Sequence, residues 1–208
     1  MFALFLLFLA SVSHSAPVCE KLMMPLEMEP GHLEGKWALV AGSLNNSSSM
    51  EALRLRDSIT MYFSNSSETS TVSYTQINRF DDLCQSLLYN TSVEGSTFTF
   101  NVGNRFDLAG SFLHTSCPDC VVMRWIVRSK RRVSKDLYLL SRRRQVEELE
   151  MEEFRAQLDC YQMPPPVVMD PSKELCPEET KSTPTVPAEI SVPLLGQTSH
   201  KGLDMPLM

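Results

Sequence analysis

Glu34-Gly35-Lys36-Trp37-Ala38-Leu39-Val40-Ala41-Gly42 joins a turn-forming glycine to a tryptophan and then to an apolar run. A glycine followed at two residues by a bulky aromatic reads as the opening of a β-strand whose first large side chain points inward. From Lys36 to Ser141 the chain repeats that texture. Eight runs, at 36–43, 58–64, 69–78, 84–93, 96–102, 105–116, 120–128 and 136–141, are rich in β-branched and aromatic residues. Several alternate cleanly, as in Ile59/Met61/Phe63 and Phe98/Phe100/Val102. Turn-forming pieces such as Glu94-Gly95 and Gly103-Asn104 separate them. Eight short strands at even spacing predict an all-β, eight-stranded antiparallel up-and-down barrel or a sandwich. A helix follows over 145–159, its Met151, Phe154 and Leu158 forming an apolar stripe for the barrel wall.

The flanks differ from this core. Residues 1–10 are an apolar run, followed by small and polar residues to Ser15. Ser13 and Ser15 suit the small positions before a signal-peptide cut, which sets the mature start at Ala16. The folded domain is then 16–176, and 177–208 is a Pro/Thr/Ser-rich tail expected to be disordered, with Ile190–Leu195 as a candidate docking peptide. No later apolar run is long enough to cross a bilayer. The expected address is extracellular. Six cysteines (Cys19, Cys84, Cys117, Cys120, Cys160 and Cys176) follow the cleavage point, and an even count favours three disulfides among 15 pairings. Sequons at Asn45, Asn46, Asn65 and Asn90 are candidate glycosylation sites. A net charge of −6 argues against nucleic acid as a partner.

A closed barrel needs a plugged end, and an aromatic on the first strand supplies one. An arginine from the end of the last strand can lie across the indole. Gly35-Lys36-Trp37, with Leu139-Leu140-Ser141-Arg142 and Glu152-Glu153-Phe154 downstream, resembles the first and third motifs of the lipocalins. The second motif is replaced by Cys117-Pro118-Asp119-Cys120. The closer resemblance is to the alpha-1-acid glycoprotein (orosomucoid) and apolipoprotein M type of lipocalin, whose pattern the pufferfish saxitoxin- and tetrodotoxin-binding proteins share. It rests on Cys19 ahead of Leu33–Trp37, Cys84 with Tyr89-Asn90-Thr91-Ser92, Leu158-Asp159-Cys160, and Cys176-Pro177-Glu178. The resemblance implies Cys19–Cys160 and Cys84–Cys176 pairing, and Trp37 with Arg142 as barrel closure. Cys117 and Cys120 are then left to a local bridge. A zinc half-site lacks two further ligands, and a redox pair normally sits at a helix start.

Alternation counted from Trp37 points Leu39, Ile59, Met61, Phe63, Val72, Tyr74, Gln76, Asn78, Phe98, Phe100, Leu108, Phe112, Met123, Trp125, Tyr138 and Leu140 inward. That lining suits a small hydrophobic ligand (lipid, steroid, drug or toxin-like) with one or two polar atoms. In the orosomucoid pattern an acidic group lies near the place of the neutral Gln76. The function expected is a secreted, monomeric transport lipocalin without cofactor or metal. The other reading is an acute-phase or immunomodulatory glycoprotein acting through glycans or the basic 128–144 segment on an anionic glycan or membrane. That segment holds Arg128, Lys130, Arg131, Arg132, Lys135, Arg142, Arg143 and Arg144, and its plain reading is a solvated hairpin facing the acidic helix. Catalysis is not expected. His14 and His200 lie in the leader and tail, and neither His32 nor His114 has a nucleophile at recognisable spacing.

Overall fold

A computed structural model describes residues 18–65, 71–101, 106–129 and 133–177. The predicted leader, all but the first residue of the predicted tail, and Lys130, Arg131 and Arg132 lie outside the described residues.

Eight antiparallel strands close on themselves: β1 (Gly35–Leu44), β2 (Ser58–Asn65), β3 (Thr71–Phe80), β4 (Leu83–Glu94), β5 (Thr97–Asn101), β6 (Phe106–Leu113), β7 (Cys120–Ser129) and β8 (Val133–Ser141). Each pairs with its sequence neighbour, and β1 pairs with both β8 and β2. Closure leaves no free sheet edge around the ring. The expected strands are all present, with shifted ends. β6 stops at Leu113 rather than Ser116, because Pro25 and Met24 of the N-terminal arm bond there instead. β8 begins at Val133, three residues before the expected start.

Three elements were not legible beforehand. A four-residue turn of helix, α1 (Pro30–Leu33), precedes β1. A second helix, α2 (Ser47–Arg54), fills the β1–β2 connection, where the Ser-rich stretch reads as a loop. Asn46 caps it, its Oδ1 accepting from the Ser49 backbone N–H at 3.0 Å. Met50 and Leu53 turn into the barrel core. A two-residue strand, β9 (Val167–Val168), pairs with Ala41 and Gly42 where β2 has already diverged from β1.

A bulge between Leu39 and Ala41 reverses the parity of β1. Trp37, Leu39 and Leu44 therefore belong to the interior cluster, whereas Val40 and Ala41 belong to the outer one. That outer cluster lies under the C-terminal helix α3 (Glu148–Cys160). Met151, Phe154 and Leu158 of α3 share it with Leu113, Val122, Leu137 and Leu139. A capping box between Glu147 and Glu150 starts the helix.

The three disulfides are Cys19–Cys160, Cys84–Cys176 and Cys117–Cys120, so no cysteine is free. Among the described residues no helix is long and apolar enough to cross a membrane.

Candidate functional site

The barrel has two unlike ends. At one, β1 begins with Gly35, whose φ of 98° favours glycine. Trp37 is buried beneath Arg142, whose guanidinium carbon lies 3.7 Å from the ring centroid. The indole N–H donates to the Leu33 carbonyl at 2.7 Å. Arg142 also donates to the carbonyls of Lys36, His32 and Glu34 at 2.7–2.9 Å. This end is sealed. The other end, the mouth, is where β1, β3, β5 and β7 end, and it is stoppered by α2.

Between the ends, every expected lining residue faces the interior and is buried. Gln76 and Asn78 are buried polar residues, and the other fourteen belong to the interior cluster. Rings dominate the middle. Trp125 lies 5.2 Å from Phe100, 5.3 Å from Tyr138 and 5.7 Å from Phe98, centroid to centroid. Tilted and edge-on contacts of this kind suit the ring quadrupoles. Gly110 makes room for them. A Cβ there would lie 2.4 Å from Cζ of Phe98 and 2.2 Å from the Arg124 carbonyl oxygen.

Polar groups gather toward the mouth. β3 runs from the sealed end to the mouth, so Tyr74, Gln76 and Asn78 form a climbing inner row. The Tyr74 hydroxyl donates to Gln76 Oε1 at 2.7 Å, and Gln76 Nε2 donates to Asn78 Oδ1 at 2.8 Å. Across the barrel, the Tyr138 hydroxyl donates to Asp136 Oδ2 at 3.1 Å. Asp136 stands directly opposite Trp125 in the β7–β8 ladder. Arg56, between α2 and β2, is 5% exposed, with Nη1 donating to the Ala52 carbonyl at 2.8 Å and its guanidinium over the Phe80 ring. Burial pushes its pKa down.

Burial also holds the Tyr74 and Tyr138 hydroxyls well above the ordinary phenol range, and the Asp136 carboxylate adds to the effect at Tyr138. An unfolded tyrosine titrates near pH 10. The native protein therefore binds these protons more tightly than the unfolded chain. Their contribution to stability is complete below about pH 10 and falls as pH rises further. We expect Y74F and Y138F to leave tyrosinate absorbance of the native protein unchanged, and to reduce only the amplitude that appears with alkaline unfolding. Loss of native-phase amplitude in either variant would contradict this.

Sequence reading missed Arg56, Ser134 and Asp136. Asp136 has the inward parity of Tyr138, and that signal was present. Arg56 lies in a connection with no periodicity to read. The described residues of the basic segment do not form one patch. Arg128 and Lys135 lie near the mouth, whereas Arg142–Arg144 follow the other end of β8, nine residues or about 27 Å away at ~3 Å per residue. Arg143 is paired with Asp119 and Glu150 at 2.7 and 2.9 Å, and Arg144 donates to the carbonyls of Asp170 and Lys173. Of the sequons, Asn45 and Asn90 present exposed side chains, Asn46 caps α2, and Asn65 ends β2. A cleft of about 630 Å³ lies outside the barrel, between the β3–β4 turn and residues 172–174. Its Lys173–Asp57 and Arg79–Glu174 ion pairs make it a poor host for a lipophilic molecule.

The sequence pattern of a family described as the ApoM domain matches residues 2–179. No curated protein sequence matches the chain. Among solved structures, the solution structure of lipocalin 12 from rat epididymis is similar over 74% of this chain and 90% of that one, at 14% identity and a TM-score of 0.63. The siderocalin Ex-FABP is similar over 78% and 99%, at 17% identity and 0.59. An odorant-binding protein, OBP1, is similar over 67% and 90%, at 13% identity and 0.56. At these identities the likeness is one of fold.

Proposed function

The chain belongs to the ApoM-domain family of lipocalins, and from that premise we propose that it is a secreted carrier of small lipophilic molecules, held inside the barrel. The observation that carries this reading is the composition of the inner wall. It is an apolar, aromatic interior with a short row of hydrogen-bonding groups on one side. Such a wall gains from an apolar ligand body and orients it through few polar atoms. Two fold relatives are described by ligand binding, one as a siderocalin with dual ligand specificities and one as an odorant-binding protein. The apolar leader sequence and three disulfides support export. The residues proposed to touch ligand are Leu39, Ile59, Met61, Phe63, Tyr74, Gln76, Asn78, Phe98, Phe100, Phe112, Met123, Trp125 and Tyr138. A surface-acting role draws no support from the described residues of the basic segment, because the length of β8 divides them.

The rings around Trp125 are packed against one another, so a ligand must displace some of them. We expect saturable quenching of tryptophan fluorescence by a lipophilic polyene, reduced at least threefold in amplitude by W125F and retained where only Trp37 has been replaced by phenylalanine. Absence of saturation across sterols, fatty acids and retinoids would sink the carrier reading.

A further inference from the structure

Arg56 is a cation enclosed by the fold. It lies between α2 and the start of β2 and is 5% exposed. Its guanidinium stands over the Phe80 ring at 5.5 Å, and Phe80 continues the inner row of β3 beyond Tyr74, Gln76 and Asn78. It also acts electrostatically on Tyr138, which is 0% exposed on the inner row of β8. These neighbours place the charge at the mouth end of the barrel interior, beside α2, whose Met50 and Leu53 belong to the interior cluster.

One edge of this guanidinium is open. Nη1 donates to the Ala52 carbonyl at 2.8 Å. Nε is buried with no acceptor, and Nη2, on the same edge, makes no hydrogen bond among the described residues. Among the described residues no carboxylate pairs with Arg56. Asp136 accepts from the Tyr138 hydroxyl at 3.1 Å, has a further interaction of its own, and is not among the groups that act on Arg56. Burying an ion is costly unless opposite charge and hydrogen bonds compensate it. One carbonyl and one ring face return part of that cost. The open Nε–Nη2 edge is the fork that takes both oxygens of a carboxylate in parallel hydrogen bonds. A carboxylate also balances the charge one for one, whereas a phosphate monoester brings about −1.5 to −2 against a single guanidinium. An ester or hydroxyl oxygen fills the edge and leaves the charge unbalanced.

We propose that Arg56 receives the carboxylate of a lipophilic acid on its Nε–Nη2 edge, with the hydrocarbon body held below it among the rings of the interior. This rests on the reading of the barrel interior as the ligand site, and it names the class of ligand. Lys130, Arg131 and Arg132 lie outside the described residues and form no part of this site.

The test uses one hydrophobic frame with different ends: retinoic acid, methyl retinoate and retinol, titrated by fluorescence at neutral pH into the folded, disulfide-intact protein. Retinoic acid is expected to bind roughly tenfold more tightly than methyl retinoate, against the greater lipophilicity of the ester. R56M removes the charge and keeps an apolar stem. It is expected to weaken the acid by about tenfold and the ester by less than about threefold. R56K keeps the charge and loses the fork, and is expected to lower the acid-to-ester ratio by about threefold. Displacement of bound retinoid by palmitic acid and by hexadecyl phosphate separates the two kinds of anion, with palmitic acid the tighter. Circular dichroism and thermal melts establish that each variant is folded. If R56M does not fold, R56K and the wild-type series decide. An ester or alcohol as tight as the acid, an acid-to-ester ratio unchanged in the folded variants, or a tighter phosphate overturns the proposal and leaves the carrier reading intact. Failure of every probe to bind overturns both.

Discussion

Replacing Trp37 by alanine is expected to lower the free energy of unfolding by about 3–5 kcal/mol, the range for emptying a large buried aromatic site. The lost ring is 1% exposed and closes the sealed end of the barrel. Three separate interactions leave with it. Its apolar surface goes, its N–H no longer meets the Leu33 carbonyl at 2.7 Å, and Arg142 loses the face it lies on at 3.7 Å. Arg142 keeps its carbonyl partners on His32, Glu34 and Lys36, so it stays as a lid over a void. The hole is hard to collapse because β1 is fixed on both sides by β8 and β2. W37F restores most of the area and loses the hydrogen bond, so it is expected to cost about 1–2 kcal/mol. Urea unfolding followed by far-UV circular dichroism measures both. A W37A loss below about 1 kcal/mol would show that the plug is dispensable.

The plug was legible because it depends on side-chain chemistry that few residues possess. Only an arginine can both cover an indole and satisfy several carbonyls, and Arg142 follows the last strand at the right distance. The barrel was legible for a different reason. One face of most strands is dry, so alternation is enforced there; β4 is the exception, with no buried residue before Thr91. What escaped notice lacks both signals. Asn46-Ser47-Ser48-Ser49 has the composition of a loop, yet Asn46 caps a helix whose Met50 and Leu53 are held by the barrel core; tertiary burial overrode weak propensity. Val167 and Val168 are too few to alternate. Arg56 is charged, and a charged residue in a connection reads as solvated until the fold encloses it. The interior row Tyr74, Gln76, Asn78 was visible, but its direction was not. Which atom is left over depends on how each amide is oriented by its neighbour, and alternation carries no such information.

Removing the Cys19–Cys160 bridge, as the double serine variant, is expected to cost about 3–5 kcal/mol, and removing Cys117–Cys120 about 1–2 kcal/mol. The bridges close loops with sequence separations of 141 and 3 residues. The loop-entropy relation gives about 5 kcal/mol for the first and about 2 kcal/mol for the second, and native adjustment lowers both. The difference arises in the unfolded chain, where the long bridge forbids far more conformations. The native state should change little. The N-terminal arm keeps its own anchors: Leu26 N–H on the Phe112 carbonyl, His114 N–H on the Met24 carbonyl, and Gln157 Nε2 on the Leu22 carbonyl at 3.0 Å. Met28 also remains in the barrel core. Denaturant titration of the two double variants against the parent separates these terms. The long-bridge variant should shift the midpoint strongly while hydrogen exchange around Leu26 stays slow relative to global unfolding. If both variants lose the same stability, loop closure is not the source. If the arm exchanges freely in the folded long-bridge variant, the bridge is holding native contacts that the hydrogen bonds cannot hold alone.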